Sequence, residues 1–126
     1  MLFNTSYTFL GDATSGIAVA GTTTDIDFKI DGSYMIFGVE LIYDGAADGD
    51  YAAFQIVDKD NVVGYGAGVV LNEWVKKWYI PSSEKRWKTV SDMATKLPAG
   101  LYARLKYTSV GSTDVPIKIN YSMIWP

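Results

Sequence analysis

Apolar and polar residues alternate with a period of two along most of this chain. Thr24-Asp25-Ile26-Asp27-Phe28-Lys29-Ile30-Asp31 sets Ile26, Phe28 and Ile30 on one face, and Asp25, Asp27 and Lys29 on the other. Successive side chains of a strand point to opposite faces, so this alternation predicts a half-buried strand. Asp31-Gly32 then predicts a hairpin turn. The next run places Met35, Phe37, Val39, Leu41 and Tyr43 together, with Glu40 opposed. Residues 51–57 form a further strand. Asp58-Lys59-Asp60-Asn61 makes a short hairpin connection, and residues 62–71 return. In residues 72–80, Trp74, Lys76, Trp78 and Ile80 alternate with Glu73, Val75, Lys77 and Tyr79. Val70, Trp74 and Trp78 also fit helical spacing, but the aromatics and Val favour a strand.

After a polar loop at residues 81–85 come a weaker strand at 87–93 and a turn at Leu97-Pro98-Ala99-Gly100. Leu101, Ala103, Leu105 and Tyr107 then share one face, with Tyr102, Arg104 and Lys106 on the other. Val115, Ile117, Ile119, Tyr121 and Met123 complete the last strand. Pro116 has no N–H for a ladder, so this strand is expected to begin at an edge or to have one free backbone side. Eight or nine strands, no helix and no internal repeat predict an all-β fold. The expected architecture is an antiparallel β-sandwich, with a jelly roll as the candidate arrangement. Residues 1–126 read as a single domain, since nothing resembles a linker.

Composition narrows the chemistry. The 126 residues contain no His and no Cys. That excludes His-based triads, imidazole acid–base catalysis, thiol nucleophiles and Cys/His metal centres. Asp outnumbers Glu by 11 to 3, a bias toward turns and caps rather than helix interiors. The net charge of −3 hides an asymmetry. Residues 1–63 hold nine Asp, Glu40, Lys29 and Lys59, a net of −8, whereas residues 64–126 hold nine basic and four acidic residues, a net of +5. Such polarity suits an electrostatic partner, or acid–base pairing between strands of the two halves. The first ten residues lack a basic region and a continuous apolar run, so no secretory signal is expected. No apolar run reaches the roughly 18 residues of a membrane helix.

Four constellations qualify as candidate sites. Ser82-Ser83-Glu84-Lys85 matches Ser-x-x-Lys, but lies in a polar loop rather than at the start of a buried helix. Gly64, Gly66 and Gly68 would share one strand face, opening a trough for an aromatic ring, a second backbone or a ligand. Asp44, Asp48 and Asp50 crowd one loop and form a candidate Ca²⁺ set, although they lack the ligand order of an EF-hand. The competing reading is that Asp-Gly pairs make turns. Trp74, Lys76, Trp78 and Trp87 interleave aromatic and basic residues, as in surfaces that stack sugars or bases or that bury Trp at a protein interface. The alternative is core Trp with Lys stems lying over apolar surface.

Gly49-Asp50-Tyr51-Ala52-Ala53-Phe54-Gln55-Ile56-Val57-Asp58, Trp78-Tyr79-Ile80-Pro81, Leu97-Pro98-Ala99-Gly100-Leu101-Tyr102, Lys106-Tyr107-Thr108-Ser109 and Ile119-Asn120-Tyr121 together resemble small virion-associated proteins of bacteriophages. The resemblance spans roughly residues 38–123. It implies a β-sandwich structural protein, such as a capsid decoration, vertex or fibre-base subunit. Such a protein has no catalytic residues and needs no cofactor. Its partners are expected to be further copies of itself and other virion proteins. Its location would be the virion, after synthesis in the host cytoplasm without a signal peptide. Two alternatives stand beside it: a carbohydrate-binding module using exposed Trp or Tyr, and a nucleic-acid binder using the basic segment 74–106. Nucleic acid is the less expected partner.

Overall fold

A computed structural model describes the backbone of residues 8–30, 34–97 and 99–125, and the side chains of residues 14–30, 39–73, 77, 79–85 and 99–121. Eight strands are present: β1 (Thr8–Ala18), β2 (Thr23–Lys29), β3 (Tyr34–Tyr43), β4 (Tyr51–Asp58), β5 (Val69–Tyr79), β6 (Arg86–Leu97), β7 (Tyr102–Thr108) and β8 (Val115–Trp125). They form two four-stranded sheets, β1-β8-β3-β6 and β2-β7-β4-β5, and every pairing is antiparallel. Each strand of the first half pairs with its mirror in the second half: β1 with β8, β2 with β7, β3 with β6 and β4 with β5. The chain is thus one long two-stranded ribbon, with its tip between β4 and β5, rolled up so that β3 also meets β8 and β4 also meets β7. This is the jelly-roll arrangement of the β-sandwich. Among the described residues, no helix is long and apolar enough to cross a membrane.

The alternation read from sequence sets the inner faces. In β7, Ala103, Leu105 and Tyr107 are buried while Tyr102, Arg104 and Lys106 are only half-buried. Val39, Leu41 and Tyr43 of β3 join Val115, Ile117, Ile119 and Tyr121 of β8 in the same core, against Ala52, Phe54 and Ile56 of β4. Phe28 packs on Tyr121 with ring centroids 5.3 Å apart. β4 departs from simple alternation, with residues Ala52–Asp58 buried on both faces.

Several local expectations change. β1 is a strand that the period-two pattern did not single out, because Thr8–Ala18 mixes small, polar and glycine residues without a clean alternation. Residues 62–71 and 72–80 are not two strands: β5 is one strand beginning at Val69, and residues 59–68 are a loop. β2 and β3 lie in different sheets, so Asp31-Gly32 does not join a paired hairpin, and residues 31–33 themselves fall outside the described set. β8 is an inner strand, between β1 and β3. Pro116 is accommodated at its second residue, where the β3 ladder has its last partner at Ile117 and the Pro116 carbonyl accepts from Asp44 N–H at 3.3 Å.

Candidate interaction surfaces

Several of the polar residues that the sequence offers for chemistry hold the fold together. Asp25 and Asp27 of β2 stand directly opposite Lys106 and Arg104 of β7. Arg104 grips Asp27 with two parallel bonds, Nε to Oδ1 at 2.8 Å and Nη2 to Oδ2 at 3.1 Å. Lys59 adds a third contact at 3.1 Å, and Lys106 reaches Asp25 at 3.2 Å. Burial alone would raise the Asp27 pKa. The hydrogen bonds from Arg104 and Lys59 outweigh it and hold the carboxyl below its ordinary value. The acidic first half and basic second half of the chain therefore meet within one molecule here. The Tyr102 ring lies under Lys59 and Lys29, its centroid 5.1 Å from Lys59 Nζ and 5.9 Å from Lys29 Nζ.

Asp44, Asp48 and Asp50 receive different partners. The Asp50 side chain is fully buried and accepts from Tyr107 Oη at 2.7 Å, Val110 N–H at 2.8 Å and Ala47 N–H at 3.1 Å. Its main chain also accepts from Ile80 N–H at 2.9 Å, so one residue ties four segments of the sandwich corner together. Burial, reinforced by this bond to Asp50, pushes the Tyr107 hydroxyl pKa up. Asp48 is exposed and accepts from Ser82 Oγ. Asp44 is exposed beside Lys85 at 3.6 Å. Among the described residues, no three acidic side chains converge in a group able to hold a metal ion. Ser82 of the Ser-x-x-Lys match thus bonds to Asp48, and Lys85 pairs with Asp44 rather than with the serine.

Gly64, Gly66 and Gly68 lie in the β4–β5 loop, not on a strand face. Their φ angles are 102°, 132° and 81°, a left-handed region that glycine enters without steric cost. A Cβ at Gly64 or Gly68 would meet nothing within 4 Å, so backbone conformation rather than close approach calls for glycine there. Asp58 builds the loop. Its buried carboxylate accepts from Val62 N–H at 2.6 Å and Val63 N–H at 2.8 Å, and its carbonyl accepts from Gly68 N–H at 2.8 Å. Asn61, itself at φ 57°, accepts from Gly66 N–H at 2.9 Å. This framework holds Val62, Val63 and Tyr65 out in solvent, Tyr65 at 79% exposure. Sequence reading missed these residues. The signal was present in Asp58, Asn61 and three alternating glycines, a composition for turns.

Trp74, Lys76 and Trp78 belong to β5, and Trp87 to β6, which are edge strands of the two different sheets. The side chains of these four lie outside the described residues. An open groove of about 480 Å³ runs over the outer face of the first sheet. It is lined by Ile17, Ile42, Pro116 and Lys118, with the Asp44–Lys85 pair on its wall.

No protein-family model matches this chain, and no curated protein matches it. Solved structures do align with it. A periplasmic inhibitor of g-type lysozyme from Aeromonas hydrophila, PliG, is similar at 12% identity and a TM-score of 0.34, over 98% of this chain and 92% of that one. The infectious bursal disease virus VP2 subviral particle is similar at 12% identity and a TM-score of 0.29, over 95% of this chain and 42% of that one. The structure of the Gx strain of that virus gives 13% identity and a TM-score of 0.25, over 94% and 40%. This chain thus spans about two-fifths of the viral chains. Likeness at this level carries none of these proteins' properties over to this chain.

Proposed function

We propose that this protein is a non-enzymatic structural subunit of a bacteriophage particle that works by protein–protein assembly. The observation that carries the reading is the contrast between committed polar groups and presented apolar ones. Asp27, Asp50, Asp58, Arg104 and Tyr107 all hold the fold. The β4–β5 loop, by comparison, is held by hydrogen bonds to Asp58 and leaves Val62, Val63 and Tyr65 exposed. Exposed apolar side chains on an ordered loop are surface made for contact. The sequence resemblance to virion-associated proteins supplies the phage context. The jelly roll is compatible with capsid roles and equally with lectin-like ones, and so does not choose between them.

The nucleic-acid alternative loses support from the pairing of Arg104 and Lys106 with Asp27 and Asp25, which removes two cations from the basic 74–106 stretch. A glycan-binding module stays the second reading, to be tested by a glycan array. The primary test is mass spectrometry of purified phage particles released from a host carrying the gene. Recovery of this chain in stoichiometric amounts is expected. Its absence from particles, while the chain accumulates free in the lysate, overturns the reading.

A further inference from the structure

Four strands end the two sheets: β1 and β6 in one, β2 and β5 in the other. An edge strand offers unpaired N–H and C=O groups to any second strand, unless it is short, bulged, charged or broken by proline. Three of the four edges are blunted in these ways. β5 shifts register against β4 three times and carries Lys76 and Lys77. β6 slips against β3, whose Ile36 and Gly38 stand opposite Thr95 and Val90. β2 has only seven residues, three of them charged. β1 is different. Its eleven residues keep an unbroken register with β8, from Thr8 opposite Trp125 to Ala18 opposite Val115. It has no proline and no basic residue, and Asp12 is its one charge.

We propose that β1 is the self-assembly edge of this protein, pairing antiparallel with β1 of a second copy about a twofold axis at Ala13. The two first sheets then merge into one continuous sheet of eight strands. Ala13 is the central residue of β1, so this axis is the one that pairs all eleven positions. It opposes Asp12 to Thr14, Gly11 to Ser15, Leu10 to Gly16, Phe9 to Ile17 and Thr8 to Ala18. The strand is self-complementary in this register. Asp12, the one acidic residue of the strand, takes the register position opposite Thr14, whereas an axis one residue earlier would set Asp12 opposite Asp12. Apolar Phe9 falls opposite Ile17, which is 56% exposed in the single chain and borders the groove of the first sheet. A twofold contact of this kind closes on itself and yields a dimer rather than a fibre.

The proposal refines the assembly reading by naming the partner and the contact, and the absence of cysteine makes it directly testable. Residues directly opposed across an antiparallel pair have Cβ atoms about 4.5–5.5 Å apart, close to disulfide range. Ala13→Cys is therefore expected to oxidise to a covalent dimer at least about tenfold faster than Ser15→Cys, whose opposite residue is Gly11. Light scattering of the unmodified chain is expected to give twice the 13.9 kDa chain mass. Ala13→Lys and Ala13→Asp alone are expected to be monomers, and their equimolar mixture a dimer. This mixing result also separates loss of the contact from loss of folding. A monomeric mass for the unmodified chain, or equal cross-linking at positions 13 and 15, overturns the proposal. A β1 dimer that is absent from phage particles upholds this contact while ending the virion reading.

Discussion

Asp27 lies on the outer face of the second sheet between two cations, and Asp50 lies in a corner of the sandwich among neutral donors. Asp27 receives Arg104 and Lys59, both charged and both on neighbouring surface. Asp50 receives one phenol and two main-chain N–H groups, all of them neutral. The first arrangement is electrostatic and partly open to water, so salt and pH weaken it. The second is geometric: it places donors drawn from two loops and a strand around a fully buried acceptor. Removal of such an acceptor leaves several donors unsatisfied at once, which costs more than the loss of an ion pair that keeps some contact with water. Asp58 belongs with Asp50 in this respect, since its two bonds go to the main chain of Val62 and Val63.

The largest effect is expected at Asp50. Asp50→Ala should destabilise the fold by about 3–4 kcal/mol, read from urea denaturation, and the loss should be indifferent to salt. Tyr107→Phe removes a single donor and should cost about 1–2 kcal/mol. If the two variants lose the same amount, the corner does not act as a multi-donor hub.

Asp58→Ala should come next, at about 2 kcal/mol. Its more telling readout is limited proteolysis, with cleavage expected between residues 59 and 68 at protease levels that leave the parent chain intact. Cleavage elsewhere would detach Asp58 from the role of loop builder.

The Asp27–Arg104 pair should contribute roughly 1–2 kcal/mol in a double-mutant cycle, falling as salt is added. Its pH dependence has a definite sign. The folded pKa of Asp27 lies below the ordinary 3.8 of the unfolded chain, so the unfolded state takes up the proton first as pH falls. The stabilisation is complete above the unfolded value and is lost as pH drops through the folded one. Asp27→Asn should flatten that acid limb, while leaving stability near neutral pH reduced by the same pair contribution. An unchanged acid limb would remove Asp27 from this account.

The smallest effect is expected at Tyr121, whose buried hydroxyl has no hydrogen-bond partner among the described residues. Burial pushes its pKa up, so it stays a neutral phenol. Tyr121→Phe should be neutral or stabilising by up to about 1 kcal/mol in the same urea measurement. Destabilisation beyond about 1 kcal/mol would show that the hydroxyl has a partner such as an ordered water.

The strands were largely legible in the sequence. The faces of β2, β7 and β8 follow directly from Ile26, from Ala103-x-Leu105-x-Tyr107 and from Val115-x-Ile117-x-Ile119-x-Tyr121. Legibility failed where alternation meant something else. Gly64, Gly66 and Gly68 alternate because the loop needs positive φ at those positions, and β1 escaped notice because its small residues carry no strong face. The candidate sites were less legible still. Asp44, Asp48 and Asp50 are neighbours in sequence, yet their partners Lys85, Ser82 and Tyr107 are not. The charge asymmetry between the two halves was visible as a count, but its resolution into facing Asp25–Lys106 and Asp27–Arg104 pairs was one of two open readings.

What the sequence determined by itself is the local part of most strands: the extended runs of β2, β3, β4, β7 and β8, the faces that alternate in β2, β7 and β8, and the chemistries that the absence of His and Cys removes. These follow from the two-residue period of a strand and the conformational limits of individual residues. What the tertiary structure decided is the pairing: that β1 meets β8, that β8 is central rather than peripheral, that Asp50 is a buried hub, and that three edges are guarded and one is not. Such pairings join residues as many as 117 positions apart, as Thr8 and Trp125 are. A hydrogen bond or a packed face depends on which segments come together in space, and alternation along a strand is silent on its neighbour.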